Sequence, residues 1–428
     1  MKHPPPWLFV LTAMPYGVAA SFAGSVMPYV TADAGIHVDA IGWYGTLLLV
    51  PPVVLFLYAP IVDLGPRRKH WLVLVSAISA VFLVVSCLMP LPDHTTAFLA
   101  CAAIAQLVAG LVGSCNGGLM AASLPDALRG KASGWYNVGN LSGGGLSATI
   151  VILMVGHRAA PAAIGIVLAA MMVLPALAAL WIDEPAPPKV AFAMVFRTML
   201  RDIRRVLVSK SGITGIALCM SPVGTAALVN YFSGMSKPYG ASANTVALVT
   251  GLGNVGLTAL GALVGGYLCD RFNRRVIYLA SGTLTAVCGV VMALSPRTEL
   301  TYAAGVMTYA LITGFCYAAF TSTVLETIGK GSEGASTKYS LFTAAGNLAI
   351  LYVGLVDTRF DEHHGVEGVI TSDAALNIAG VIVLALVFWR LGSFGKWRHP
   401  EEPEPVAAAP TAPEPALTAG DPPTSDPR

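Results

Sequence analysis

Uncharged apolar segments long enough to cross a lipid bilayer recur along this chain. A transmembrane helix needs roughly 20 mostly apolar residues, and the sequence contains twelve such runs. Only 11% of the residues are charged, against about 25% in soluble domains. The pattern excludes an ordinary water-soluble enzyme and predicts an all-α membrane protein with twelve transmembrane helices. The runs lie at 7–30, 39–61, 71–90, 97–121, 133–156, 162–182, 213–235, 244–268, 276–295, 301–325, 339–358 and 374–391.

Basic residues are distributed unevenly between the two sides of this predicted helical bundle. With the N-terminus inside, 20 lysines and arginines fall on the cytoplasmic segments and four fall on the opposite side, apart from Arg428 in the tail. An excess of Lys and Arg marks cytoplasmic loops. We therefore expect a multi-pass protein of the cell (inner) membrane with both termini in the cytoplasm. The net charge of +2 gives no indication of a nucleic-acid partner.

One long internal loop divides the chain into two parts. Residues 183–212 carry arginines on one helical face and apolar residues on another, which predicts an amphipathic helix in a cytoplasmic linker. Residues 1–182 and 213–398 then form an N-terminal and a C-terminal six-helix bundle. Residues 399–428, rich in Pro, Ala and acidic residues, are predicted to be a disordered cytoplasmic tail.

The two predicted bundles repeat each other at a constant offset of 207 residues. Parallel repeats of this kind are typical of carriers in which one half rocks against the other. The repeat therefore predicts two pseudo-symmetric bundles and transport by alternating access. The matching positions include Pro15 and Gly17 with Pro222 and Gly224, Asp63, Arg67 and Arg68 with Asp270, Arg274 and Arg275, and Asn140 with Asn347.

A charged loop follows the second span of each half. The stretch Gly266-x-x-x-Asp270-Arg271-x-x-Arg274-Arg275 resembles the loop signature of the major facilitator superfamily. This resemblance implies ion pairs that join neighbouring helices in one access state and separate in the other. The candidate gating residues are Asp63, Arg67, Arg68, Asp270, Arg271, Arg274 and Arg275.

The first part of the chain allows a closer comparison within that superfamily. Residues 14–71, which include Pro15-Tyr16-Gly17 and Leu57-Tyr58-Ala59-Pro60, are similar to the branch of AmpG-type muropeptide permeases and acetyl-CoA transporters. The resemblance implies a muropeptide, peptide or siderophore as substrate. However, the stretch 114–120 lacks the carboxylates that this branch carries in span 4.

Neutral polar and aromatic residues are the candidates for substrate binding, because the deep parts of the predicted spans contain no ionisable residue. A cavity without fixed cations disfavours a strongly anionic substrate such as acetyl-CoA. Each candidate has a structural alternative, since polar residues also join membrane helices by hydrogen bonds. The candidates are Tyr16, Tyr44, Gln106, Asn116, Asn137, Asn140, Asn254, Tyr309, Tyr317 and Asn347.

Three carboxylates at the ends of predicted spans are candidates for coupling transport to protons. Asp33 and Asp357 lie at the outer ends of spans 1 and 11, and Glu326 lies at the inner end of span 10. An ionisable residue inside a membrane is a functional hypothesis by default, but an interfacial, solvated carboxylate is the favoured alternative for each. Proton symport and uncoupled facilitation both remain open.

These features together predict a secondary active transporter, or permease, that moves a small organic solute by alternating access. A facilitator or a drug-efflux carrier of the same fold is the alternative. A non-transporting membrane sensor or an enzyme acting on lipid is less favoured. We expect a monomer that contacts the lipid bilayer and its small-molecule substrate, and protons in the symport case. We expect no cofactor and no metal.

Overall fold

The computed structural model describes residues 3–36, 38–184, 208, 210–328 and 335–390. Within these residues the chain is helical almost throughout. The predicted linker helix and the predicted tail lie outside the described residues. In chain order, the main helices are α1 Leu8–Thr31, α2 Val38–Tyr58, α3 Arg68–Leu88, α4 Thr95–Ser123, α5 Asp126–Gly156, α6 Pro161–Trp181, α7 Lys210–Cys219, α8 Asn244–Arg271, α9 Arg274–Leu294, α10 Glu299–Ile328, α11 Ala335–Asp357 and α12 His363–Arg390.

Ten of these helices are long and apolar enough to cross a membrane within the described part of the chain. Large apolar side chains such as Leu174, Leu294 and Trp389 are exposed on their outer surfaces. Extended apolar surface of this kind marks contact with another apolar phase. The protein is therefore a multi-pass membrane protein, as the apolar runs predicted.

The span predicted at 39–61 contains α2, a continuous helix of 21 residues that is followed by a 3₁₀ helix at Ala59–Asp63. The last turn tightens because Pro60 lacks the N–H group that an α-helix would need.

The span predicted at 213–235 is interrupted. Helix α7 ends at Cys219, and only short helical turns, Ala227–Asn230 and Phe232–Met235, follow. The right-handed helix is interrupted here because Gly224 and Ala226 adopt positive φ angles of 66° and 57°, which no right-handed helix contains. We call residues 220–226 the α7 break.

The apolar core joins the two halves of the chain at one end only. One buried cluster combines residues of both halves, including Leu119 and Leu124 with Leu325 and Ala335. A second cluster contains residues of the first half alone, and a third contains residues of the second half alone. The halves therefore pack tightly together at one end and have separate cores at the other.

Glycines allow helices of the two halves to approach closely. A Cβ on Gly130 of α5 would collide with the carbonyl oxygen of Gly266 in α8, and a Cβ on Gly266 would collide with that of Gly130. A Cβ on Gly117 of α4 would likewise collide with the ring of Tyr339 in α11. Small residues at such crossings let membrane helices gain packing energy. These crossings lie at the end where the halves share a core, which we call the motif end because Asp63 and Asp270 lie there.

Candidate functional site

A cavity of about 240 Å³ lies between the two halves of the chain. It is bordered by α1 and α5 on one side, and by α9, α10, α11 and the α7 break on the other. Every lining residue that the structure describes is uncharged. The lining consists of Tyr16, Tyr136, Asn137, Asn140, Cys219, Ser221, Val223, Gly224, Thr225, Tyr278, Cys316, Tyr317, Phe320, Thr321, Tyr339, Thr343, Gly346, Asn347, Ala349 and Ile350.

Tyrosine hydroxyls organise the walls of this cavity. Tyr136 of α5 and Tyr339 of α11 both line the cavity, one from each half of the chain. The Tyr278 hydroxyl donates to the carbonyl oxygen of Val223 at 2.8 Å, which holds the α7 break against α9. Rings with a polar tip and an apolar face can contact both parts of an amphipathic solute. The cavity thus offers neutral hydrogen-bonding groups and aromatic surface without a fixed charge.

Half of the predicted substrate-binding residues line the cavity. They come from four helices, α1, α5, α10 and α11, and include the pair that the repeat duplicates. The predicted residues in the lining are Tyr16, Asn137, Asn140, Tyr317 and Asn347.

The other predicted residues lie elsewhere in the described structure. Asn116 is buried and joins α4 to α1, because its side-chain nitrogen donates to the Thr12 carbonyl oxygen at 2.8 Å and its Oδ1 accepts from the Thr12 hydroxyl at 2.6 Å. This is the structural alternative, helix-to-helix bonding, in place of substrate contact. The structure also places Tyr44, Gln106, Asn254 and Tyr309 outside the lining.

Sequence analysis missed several lining residues that share a helical face with the duplicated asparagines. Tyr136 precedes Asn140 by one turn of α5, and Thr343 precedes Asn347 by one turn of α11. Residues four positions apart lie on the same face of a helix. Applying this four-residue spacing to Asn140 and Asn347 would have predicted Tyr136 and Thr343 as lining residues.

The first contact between the halves at the motif end is made by Asp270 of α8. Its Oδ1 accepts from the backbone N–H of Gly130 at 2.7 Å, and its Oδ2 accepts from that of Lys131 at 2.9 Å. The Asp270 side chain is only 6% exposed. Hydrogen bonds to a charged acceptor are roughly twice as strong as neutral ones. The carboxylate therefore fastens α8 to α5 across the two halves.

The second contact is made by Asp63, at the end of the 3₁₀ helix that follows α2. Its Oδ2 accepts from the backbone N–H of Thr337 at 3.2 Å and from the Thr337 hydroxyl at 3.0 Å. Arg68 pairs with the other oxygen, with its Nη2 2.7 Å from Asp63 Oδ1. Asp63 and Asp270 are 207 residues apart, and so are their partners Gly130 and Thr337. The two contacts thus occupy equivalent positions in the repeat.

A charge network surrounds the Asp270 contact. Arg274 is buried, and its Nη1 lies 3.1 Å from Asp126 Oδ1 in the opposite half, while its Nη2 donates to the Asp126 carbonyl oxygen at 2.7 Å. Glu326 of α10 lies 3.8 Å from Arg274 and 3.4 Å from Arg275. Arg274 is buried, whereas Asp126 is 56% exposed and Glu326 is 38% exposed, so removing an acid leaves a buried arginine without that partner.

The other predicted gating arginines contribute differently. Arg67 is exposed, whereas its repeat partner Arg274 is buried. Arg271 stacks on the ring of Tyr267, with its guanidinium carbon 4.4 Å from the ring centroid. Sequence analysis missed Arg129, which is buried and donates from Nη1 to the carbonyl oxygen of Leu325 in the other half at 3.2 Å.

The structure corrects part of the expectation about coupling carboxylates. Asp33 is exposed, and Glu326 pairs with the arginines of the motif end. Asp357, expected to be interfacial and solvated, is fully buried, and so is Asp373. The statement that the deep spans contain no ionisable residue is therefore wrong. Asp373 escaped notice because α12 begins at His363, eleven residues before the predicted start of span 12.

A helical membrane protein with a polar cavity between two mutually contacting halves has the architecture of a transport protein. The comparisons give the family. The model of the Major Facilitator Superfamily matches residues 9–233 and 214–421. The chain therefore belongs to the major facilitator superfamily, and it is a transporter in family and fold, not an enzyme.

Solved structures of the same fold include two transporters with little sequence identity. The human organic anion transporter MFSD10 (TETRAN) is 16% identical, with a TM-score of 0.68 over 89% of this chain and 100% of that chain. The proton:xylose symporter XylE bound to 6-bromo-6-deoxy-D-glucose is 13% identical, with a TM-score of 0.65 over 90% of this chain and 95% of that chain. These likenesses show the fold alone. The search of curated proteins found no match.

Proposed function

We propose that this protein is a secondary transporter that moves a small, uncharged polar solute through the central cavity by alternating access. The observation that carries the proposal is the composition of the cavity wall. Five tyrosines and three asparagines face it, and no charged side chain lines it among the described residues. Asn137 and Asn347 already donate to the carbonyl oxygens of Ser133 and Pro52, at 2.9 Å and 3.3 Å. The hydroxyl or amide groups of a solute would add hydrogen bonds to the remaining polar atoms of this wall.

We further propose an architecture of twelve spans in two six-helix bundles. The equivalent contacts of Asp63 and Asp270 support it, because a chain with an internal two-fold relation makes each contact between halves twice. In this architecture the interrupted segment around Gly224 is the seventh span. Interrupted spans are found where they line a cavity, and Gly224 and Thr225 do line it. A single chain contains the whole cavity, so a monomer suffices.

The two ends of the molecule are closed to different extents. The shared core and the aspartate contacts close the motif end, whereas the halves have separate cores at the opposite end. The excess of Lys and Arg on this side of the bundle supports a cytoplasmic location for the motif end. We therefore propose that this conformation faces outward, in the cell (inner) membrane, with both chain termini in the cytoplasm.

The size and charge of the cavity narrow the substrate class. A volume of about 240 Å³ lies below the roughly 300–1,000 Å³ of sites for drug-sized ligands. This favours a solute of monosaccharide size over the muropeptide that the AmpG-type resemblance implies. One structural neighbour is an organic anion transporter and the other is a proton:xylose symporter. The uncharged lining, with its hydroxyl and amide groups, favours a sugar over an anion.

A binding experiment with matched probes tests this proposal. Purified full-length protein would be titrated calorimetrically with the uncharged probes D-glucose, D-xylose and myo-inositol, and with D-gluconate as an anion of similar size. We expect an uncharged probe to bind more tightly than gluconate. Preferential binding of gluconate over all three would contradict the proposal.

Variants of the cavity asparagines locate the bound solute. A neutral hydrogen bond contributes about 0.5–1.5 kcal/mol, so Asn140→Ala and Asn347→Ala should each weaken binding by roughly 2- to 10-fold. Asn254→Ala is the matched control, because Asn254 is half-buried but lies outside the lining. Equal effects of all three variants would show that the asparagines act through folding.

A further inference from the structure

Two buried carboxyl groups lie close together at the turn between α11 and α12. Gly365 adopts φ 59° and ψ −148°, a conformation available to glycine, and the two helices fold back on each other there. The Ser372 hydroxyl donates to Asp357 Oδ1 at 2.6 Å. The next residue, Asp373, accepts at Oδ2 from the Tyr309 hydroxyl of α10 at 3.1 Å. Both aspartates are 0% exposed.

Each of these carboxyl groups has one oxygen without a partner. Asp357 Oδ2 and Asp373 Oδ1 are buried and make no hydrogen bond within the described structure. Neither aspartate forms an ion pair with a described basic residue. These two oxygens are therefore buried acceptors to which no described group donates.

The surroundings of the pair contain no compensating positive charge in the part of the chain that the structure describes. Tyr309 faces it from α10 and donates to Asp373, and Cys288 faces it from α9. The 3₁₀ turn Ala227–Asn230, which also packs on this hairpin, carries no titratable side chain. The ion pair of Arg297 with Glu367 is exposed at the surface and internally neutral.

The cost of burying charge determines the protonation of this carboxyl pair. An ionised carboxylate is very costly to bury without a partner, and two acids that share a site without a cation do not both ionise. A proton on one carboxyl oxygen removes one charge and supplies a donor to the pair. We propose that Asp357 and Asp373 form a proton-binding site of this transporter, built into the hairpin of α11 and α12.

A short chain of hydrogen bonds connects this site to the cavity wall. The Asn377 side-chain nitrogen donates to the backbone carbonyl oxygen of Asp373 at 2.9 Å, and the Asn377 Oδ1 accepts from the Gly224 backbone N–H at 2.9 Å. Gly224 belongs to the α7 break and lines the cavity. Loss of the proton would leave two buried negative charges and favour a rearrangement that hydrates them. Such a rearrangement would move the α7 break, to which Asn377 is hydrogen-bonded at Gly224.

This inference rests on the proposed transport function only for its consequence, the coupling of solute movement to protons. The binding of a proton can be tested separately. A protonated carboxyl group has a C=O stretching band that a carboxylate lacks, so infrared spectra of the purified full-length protein over its stable pH range report the site directly.

The infrared experiment has defined outcomes. We expect a buried-carboxyl band at neutral pH that disappears in the double variant Asp357→Asn/Asp373→Asn and persists in the control Asp33→Asn, which removes an exposed carboxylate. Tyr309→Phe, which removes the hydrogen bond to Asp373, should shift the band even if the double variant fails to fold. Absence of the band in the wild type, its persistence in the double variant, or an unshifted band in Tyr309→Phe would overturn the proposal.

Transport measurements separate failure of this site from failure of the proposed function. In proteoliposomes, the wild type should exchange the uncharged sugar that binds it and should accumulate that sugar when a pH gradient is imposed. Asp373→Asn should lose the gradient-driven accumulation while sugar exchange continues. If no uncharged sugar is exchanged at all, the proposed function fails, whereas accumulation by Asp373→Asn equal to that of the wild type refutes the coupling role.

Discussion

The substitution Asp270→Asn tests whether the aspartate contacts hold the motif end closed. Asp270 accepts two backbone hydrogen bonds from the opposite half, at 2.7 Å and 2.9 Å. Asparagine has nearly the same shape but only one acceptor oxygen, so its amide nitrogen would face the N–H group of Gly130 or Lys131. The substitution should therefore remove one hydrogen bond to a charged acceptor, which contributes about 1.5–3 kcal/mol.

This energy acts on a conformational equilibrium. A loss that affects only the conformation closed at the motif end shifts the population toward the conformation open there, by roughly tenfold for each 1.4 kcal/mol. We therefore expect a shift of roughly 10- to 100-fold. Native cysteines report it, because Cys219 and Cys316 line the cavity.

The assay measures the rate at which a membrane-impermeant maleimide labels these two cysteines from each side of sealed vesicles, with peptides quantified by mass spectrometry. Asp270→Asn should accelerate labelling from the motif end and slow it from the opposite end. Asp93→Asn, which changes an exposed carboxylate outside the motif loops, is the control. An unchanged ratio between the two sides in Asp270→Asn would refute the reasoning.

Two further predictions concern the repeat partner and a predicted binding residue. Asp63→Asn should shift the same labelling ratio in the same direction as Asp270→Asn, but by less, because Asp63 also pairs with Arg68 of its own half. A shift equal to or larger than that of Asp270→Asn would contradict this prediction. Asn116→Ala should lower the free energy of unfolding by about 1–2 kcal/mol, because it removes hydrogen bonds between α4 and α1. It should leave the affinity for the sugar unchanged. Weaker sugar binding at wild-type stability would indicate instead that Asn116 contacts the substrate.

The spans and the repeat could be predicted from sequence because both depend on residue type. Hydrophobic length identifies a membrane helix without knowledge of its neighbours, and the constant offset marks equivalent positions. The interruption in the seventh predicted span was not recognised, although Pro222 and Gly224 were both noted in the repeat. Glycine and proline are common within membrane helices, so their presence alone does not show where a helix ends.

The candidate site was only partly predictable, because contacts depend on geometry that residue types do not encode. Asp63 and Asp270 were identified as acids, but their partners across the halves are mainly backbone N–H groups, which leave no mark on the sequence beyond Gly130. Asn116 and Asn140 are the same residue type in neighbouring helices, yet one joins two helices and the other lines the cavity. Asp373 was missed because its burial depends on the turn at Gly365.

The repeat places equivalent residues in equivalent positions, but the two halves do not use them equally. Arg274 is buried and reaches Asp126 in the opposite half, whereas its repeat partner Arg67 is exposed. Asp270 has its nearest arginine nitrogen at 3.9 Å and bonds mainly to backbone, while Asp63 is held by Arg68 at 2.7 Å. On the other side, Arg68 Nε donates to the Ser336 hydroxyl of the opposite half at 2.9 Å. Closure at the motif end is therefore two-fold in position, with a different arginine crossing between the halves on each side. Asp270→Asn alone, with Asp63 unmutated, should shift the maleimide labelling ratio toward the motif end.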